Sequence, residues 1–290
     1  MDVGVIKTSK KENEKRVPIH PNHIKDLPAS VCRHLYFEKG YGLPFGVSDE
    51  QISKLTGNQT MNREELYQNL RAIIIPKPTE EDFNEMREGT FVWGWIHALQ
   101  QKNITQIAIN KKLTLIAWEN MYFQGGRNRT HIFQRNNEMA GYCGVQHALQ
   151  LWGVDGHFGP PRKVVIISFG SVSRGAIISL MGHGFNNITV YTRRPVHLVS
   201  DKISVVQYEQ FYKNKTGDYV IASVDNEIKP LIDTLVSADI IINGILQNPN
   251  DPVLFINNSD IKRFKKECLV IDISCDIEMG FSFAHPSSIS

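Results

Sequence analysis

Val164-Val165-Ile166-Ile167-Ser168-Phe169-Gly170-Ser171-Val172-Ser173-Arg174-Gly175-Ala176 is the stretch that decides the fold. An unbroken apolar run of this length that ends in glycine fits a central strand of a parallel sheet, buried on both faces. The glycine then opens a helix. Such a strand–glycine–helix turn aims backbone N–H groups and the positive end of the helix at a pyrophosphate. Gly170 and Gly175 take the first and last places of G-x-G-x-x-G, and Val172 stands where the second glycine belongs. Residues 170–175 are therefore candidate cofactor contacts: Gly170, Ser171, Val172, Ser173, Arg174 and Gly175. The competing reading is a purely structural turn.

The next strand candidate, Ile188–Thr192, ends 22 residues after Gly170, near the place where an acid would hold an adenosine ribose 2′-hydroxyl. It runs instead into Thr192-Arg193-Arg194. Planar guanidinium forks suit a ribose 2′-phosphate, which a carboxylate would repel, so the expected cofactor is NADPH. A solvated arginine pair in a surface turn is the alternative.

Working outward, Asp239–Asn243 and Leu269–Ser274 are further strand candidates, with helical patterns over 175–184 and 227–238. On the amino side, Asn137–Trp152 carries apolar residues at helical spacing and breaks at Gly153, as a connecting helix would. The first half repeats the alternation, with strand candidates Val3–Ile6, His34–Phe37, Ala72–Ile75, Thr90–Trp93 and Leu113–Ala117. Ser48 with Gln51 and Asn62 with Glu65 have capping-box spacing between them. The expected architecture is α/β: two doubly wound Rossmann-like domains with mostly parallel sheets and a cleft between them. The substrate domain is expected over 1–128 and the dinucleotide domain over 129–290.

In an open α/β sheet, ligands gather at the carboxyl ends of the strands. Ile73-Ile74-Ile75-Pro76-Lys77-Pro78 brings Lys77 to that edge, and Phe91-Val92-Trp93-Gly94-Trp95-Ile96-His97 brings His97 there too. Each alone has a plain structural reading, a surface lysine or a core histidine; together they are candidate catalytic groups. Arg16 ends a charge run and adjoins Val17-Pro18, where the chain turns back, so its fork is a candidate clamp for a substrate carboxylate.

Composition narrows the classes. The 290 residues carry 32 Lys plus Arg against 30 Asp plus Glu, net +2, which leaves no basic field for nucleic acid. No run approaches the ~18 apolar residues of a membrane span. The four cysteines contain no C-x-x-C pair, so no metal site is expected, and the charged amino end predicts a cytoplasmic protein.

The motifs, taken in order, resemble the alanine dehydrogenase group, which includes the transhydrogenase α subunit, the saccharopine dehydrogenases and the N5-(carboxyethyl)ornithine synthases, and are most similar to the last. Gly4 to Pro18 resembles the group's opening signature, whose arginine binds the keto-acid carboxylate, and Lys77 and His97 fall where the group has its catalytic lysine and histidine. Ile271-Asp272-Ile273-Ser274-Cys275-Asp276 resembles the strand that sets an aspartate beside the nicotinamide, which makes Asp276 a third catalytic candidate. The resemblance implies a homo-oligomeric enzyme acting on a small keto acid and an amino acid. It would join pyruvate reductively to the side-chain amine of ornithine or lysine. Alternatives are an alanine or saccharopine dehydrogenase, or a dinucleotide-binding protein without turnover. Relatives continue beyond the residues matched by Phe281–Ser290 into a segment that packs back on the first domain, so the expectation is either a shortened polypeptide or a weaker clamp between domains.

Overall fold

The computed structural model describes residues 1–125, 128–222, 228–245, 247, 251–264, 267–274 and 279–285. The chain divides into two units, Met1–Ile132 and Phe133–Ser290.

In the first unit, β1 (Val3–Val5), β2 (Leu35–Phe37), β3 (Ala72–Ile74), β4 (Phe91–Gly94) and β5 (Thr114–Ala117) form one sheet in the order β2-β1-β3-β4-β5. Every neighbour in it is parallel. Helices α1 (Ala29–Cys32), α2 (Asp49–Thr56), α3 (Arg63–Asn69), α4 (Glu80–Glu85) and α5 (Lys102–Asn110) make the crossovers. The expected capping boxes start α2 and α3: Gln51 accepts from the Ser48 N–H at 2.8 Å, and Glu65 from the Asn62 N–H at 2.8 Å. Thr79 and Asp82 close a third box at α4. The core gathers Ile6, Leu66, Tyr67, Ile73, Ile75, Phe83, Val92 and Ile96. The unit ends in an antiparallel hairpin, β6 (Tyr122–Gly125) with β7 (Asn128–His131).

Helix α6 (Gln134–Trp152) opens the second unit, followed by β8 (Val164–Ile167), α7 (Ser171–Gly182), β9 (Ile188–Thr192) and β10 (Gln207–Lys213). After these come β11 (Tyr219–Ala222), β12 (Ile228–Pro230), α8 (Leu231–Val236), β13 (Ile240–Asn243), β14 (Leu254–Ile256), β15 (Leu269–Asp272) and β16 (Gly280–Phe281). The sheet order is β12-β11-β10-β9-β8-β13-β15. The strands from β10 to β15 are parallel, while β11 and β12 extend the edge antiparallel. Strand β8 divides its residues between two cores: Val164 and Ile166 pack on one face, Val165 and Ile167 on the other. That is why the run has no polar alternation. Both sheets are thus mostly parallel α/β layers, as the sequence predicts.

One helix expectation is corrected. Within 227–238, residues 228–230 are strand and the helix begins only at Leu231, capped by Pro230. Proline has no N–H for a helix interior, and it pushes the residue before it toward extended backbone. Helix α6 meets α7 at unusually short range. A Cβ on Gly141 would lie 1.8 Å from the Val172 carbonyl oxygen, and one on Gly175 the same distance from that of Glu138. Gly175 therefore serves helix–helix packing.

Candidate functional site

The strand order of the first unit places a topological switch between β1 and β3, the crevice where open α/β sheets bind ligands. Two loops leave the carboxyl ends of those strands: residues 6–20 after β1, with Arg16, and residues 75–79 after β3, with Lys77. A third, after β4, carries Trp95 and His97. The close fit of β3 and β4 depends on Gly94, where a Cβ would stand 2.1 Å from the Ile75 carbonyl oxygen.

Six non-glycine residues among those described have positive φ, and three of them lie one to three residues past β3, β4 and β8: Lys77 at 39°, His97 at 49° and Ser168 at 80°. A non-glycine residue held in this region costs about 1–3 kcal/mol and persists where surrounding structure fixes it, characteristically at functional sites. For His97 the fixing group is Glu119, whose carboxylate accepts from the Ile96 N–H at 3.3 Å and the His97 N–H at 2.6 Å.

Lys77 is half-buried between two buried prolines, Pro76 and Pro78. Burial, followed by the charges of Lys11 and Arg16, holds its amine below the usual lysine range, and the Lys11 amine stands within hydrogen-bonding reach of it. Arg16 is exposed, yet its guanidinium is engaged. Its Nε donates to Glu14 Oε1 at 2.7 Å, Nη2 donates to Oε2, and its guanidinium lies 4.5 Å over the Trp95 ring, which meets Trp118 edge-on. Burial works to raise the Glu14 carboxyl, and the hydrogen bonds and charge of Arg16 outweigh it, so that the carboxyl stays below the usual range. The structure therefore gathers Arg16, Lys77 and Lys11 around one carboxylate, with the His97 loop on the adjoining strand. Three cations against one anion leave this place net positive, a candidate anion site in which Glu14 and Trp95 hold Arg16 in one orientation. Sequence reasoning missed Lys11, Glu14, Trp95 and Glu119. The Glu14-x-Arg16 spacing was the one available signal.

In the second unit the expected strand–glycine–helix turn is present. Gly170 caps α7 and so brings no capping side chain to the first helical N–H groups, and a Cβ there would meet nothing within 4 Å among the described residues. The Arg174 guanidinium lies 4.2 Å over the Phe169 ring and donates to the carbonyls of Ser200 and Asp201. Arg194 donates to the Phe169 carbonyl at 2.9 Å and takes the Thr192 hydroxyl as acceptor for its N–H. Arg193 is exposed beside it. Val172 directs its carbonyl at Gly141, so the middle position of the turn is spent on packing α6. A glycine-capped helix N-terminus with Arg174 and Arg194 on the adjoining Phe169 is a candidate place for a phosphate group. Asp276 lies outside the described residues.

Residues 4–140 match the family described as "Alanine dehydrogenase/PNT, N-terminal domain". Over most of its length the chain is similar to proteins named as alanine dehydrogenases. Alanine dehydrogenase 1 of Staphylococcus aureus (strain NCTC 8325 / PS 47) is 23% identical over 304 residues, spanning 100% of this chain and 77% of that protein. The alanine dehydrogenase of Methanococcus maripaludis is 23% identical over 291 residues, spanning 95% and 72%. Among solved structures, an L-alanine dehydrogenase superposes with a TM-score of 0.70 at 19% identity, over 99% of this chain and 78% of that one. The transhydrogenase of Sinorhizobium meliloti does so with a TM-score of 0.66 at 16% identity, over 93% and 77%. Those two likenesses establish the fold. No helix among the described residues is long and apolar enough to cross a membrane, and none of their His, Cys, Asp and Glu side chains form a group of three suited to a metal.

Proposed function

We propose that the protein is an NADPH-dependent oxidoreductase acting on CH–NH bonds, which condenses pyruvate with the side-chain amine of ornithine or lysine and reduces the product to an N-(carboxyethyl)amino acid. The carrying observation is the cluster of Lys77, Lys11 and Arg16 at the β1/β3 switch. Both substrates bring a carboxylate, and more than one cation is present to receive them. Arg16 fixes the keto-acid carboxylate and so turns its carbonyl toward Lys77. Lys77, its amine eased toward the neutral form, hydrogen-bonds the carbonyl oxygen and passes a proton to it as the amine adds and water departs. His97 relays the proton released by the attacking amine. Asp276 is assigned the substrate ammonium.

Residues 170–175 would hold the dinucleotide pyrophosphate, and Arg174, Arg193 and Arg194 the 2′-phosphate; NADPH bound there supplies the hydride. The guanidiniums of this corner, with no acid at the end of β9, support NADPH over NADH. A second reading, an alanine dehydrogenase in which ammonia replaces the amino acid, is favoured by relatives of that name matching 95–100% of the chain.

The test is nicotinamide oxidation with NADPH and with NADH on three pairs: pyruvate with ornithine, pyruvate with ammonia, and 2-oxoglutarate with lysine. Fastest turnover on the first pair with NADPH supports the proposal, and Lys77→Ala should then lower kcat by about 10²-fold or more. Fastest turnover on pyruvate with ammonia selects the second reading. Tight NADPH binding without turnover on any pair would leave a dinucleotide-binding protein.

A further inference from the structure

Lys11 and Lys77 set a physical problem: two amines within hydrogen-bonding reach repel one another whenever both are charged, and each sits on a loop that could swing away. The group that opposes this lies behind them. Asp82, in the first turn of α4, is fully buried. Its Oδ2 accepts from the Lys10 N–H at 3.1 Å, the Thr79 N–H at 2.9 Å and the Thr79 hydroxyl at 3.0 Å; its Oδ1 accepts from the Tyr67 hydroxyl at 3.3 Å and lies 3.7 Å from Arg63 Nη1. Lys10 precedes Lys11, and Thr79 follows Lys77-Pro78. A single carboxylate oxygen therefore ties both loops together.

Arg63 extends the tie. It donates to the buried Glu38 carboxylate at 3.0 and 3.1 Å and to the Thr8 carbonyl at 2.7 Å, while Glu38 accepts from the Lys7 N–H at 2.9 Å. The whole start of the β1 loop, from Lys7 to Lys10, is thus bound to one buried ionic network. Such networks are costly to break from one side, because the remaining charges stay buried. The Thr79 contacts also close the capping box of α4, so it is the Lys10 N–H, 72 residues away in the chain, that joins the β1 loop to this carboxylate.

We propose that Asp82 is a positioning residue that latches the loop bearing Lys10, Lys11 and Arg16 to the loop bearing Lys77, holding two like-charged amines face to face for an anionic substrate. The inference rests on the anion-site reading of this cluster. It is tested without turnover, so that it can fail while that reading stands. The Lys77 amine is titrated by its rate of acylation across pH, followed by mass spectrometry, in the full chain and in Asp82→Ala. Releasing the latch separates the amines and wets Lys77, so its reactivity profile should move to higher pH. Loss of the Asp82 charge acting only through space would favour the neutral amine and move the profile to lower pH. Lys11→Met should raise the profile in the parent protein and add little in Asp82→Ala. Where Asp82→Ala does not fold, Thr79→Ala, which removes one donor from the same oxygen, carries the same expectation in smaller measure. A folded variant whose Lys77 profile stays put or moves down overturns the proposal.

Discussion

Gly94→Ala is the substitution that best separates this account from one in which the strand ends are incidental. The new methyl carbon would stand 2.1 Å from the Ile75 carbonyl oxygen and 3.3 Å from its carbon. Heavy atoms without a bond between them settle at about 3.5 Å or beyond, so β3 and β4 must part there by more than an ångström. The Ile75 N–H donates to the Trp93 carbonyl at 3.0 Å across the same gap, and the separation weakens that bond as well. Overpacking of this kind costs about 1–3 kcal/mol, and a lost hydrogen bond about 1 kcal/mol more, so the variant should lose ~2–4 kcal/mol of stability.

Ile75 lies two residues before Lys77, and Gly94 three before His97. The shift therefore arrives at both catalytic candidates, and a displacement of about 1 Å can cost ~10²-fold in rate. Chemical denaturation gives the first quantity and turnover on the active substrate pair the second. Gly182→Ala is the control, because a Cβ there meets nothing within 4 Å and the residue is helical. It should be neutral or stabilising by up to ~1 kcal/mol. Gly94→Ala with an unchanged denaturation midpoint and unchanged kcat would refute both the fit of the strands and its link to the site.

The remaining expectations concern charge. Converting Arg193 and Arg194 to Ala together should lower NADPH affinity by about 10–100-fold and leave NADH affinity within a few-fold, measured by fluorescence titration, since a charged hydrogen bond contributes about 1.5–3 kcal/mol. Glu14 has a folded pKa below its ordinary 4.5, so its pairing with Arg16 stabilises the fold above that value, and the contribution is lost as pH falls through the folded pKa. Glu14→Gln should therefore narrow the stability gap to the parent protein as denaturation is followed below pH 4.5. Lys77 runs the other way: its folded pKa is below 10.5, so the unfolded chain holds the proton more tightly and stability rises with pH between the two values. Lys77→Met should be the more stable protein at pH 7, with an advantage that shrinks as pH approaches 10.5.

What the sequence made legible, and what it did not, divides along the range of the interactions concerned. The run Val164–Ile167 is apolar throughout because both faces of β8 are covered, and that local fact sufficed to place a central parallel strand. Ser48 with Gln51 and Asn62 with Glu65 are contacts within four residues, and spacing alone exposes them. Strands β10 to β12 escaped notice because Gln207–Lys213 is largely polar and Phe211 alone within it is fully buried, so the segment carries no apolar run or alternation to read. The positions of Lys77 and His97 past the ends of β3 and β4 were legible because strand ends are visible from hydropathy. Their left-handed backbone could not, since it is imposed by partners such as Glu119, 22 residues beyond His97.

Asp82 was the least legible of all. As the fourth residue from Thr79 it announces only a helix start, and nothing in Glu80-Glu81-Asp82-Phe83 marks one acid among three as buried. The distinction comes from Lys10, 72 residues earlier, and from Tyr67 and Arg63 on α3, none of which any spacing rule connects to it. A carboxylate with no exposed surface, accepting from two separate loops, is stable only if those donors arrive in register. The same requirement makes it able to set the register of the loops. In this unit the groups proposed to meet the substrate lie at sequence-visible strand ends, while the group that aims them is visible only once the chain is folded.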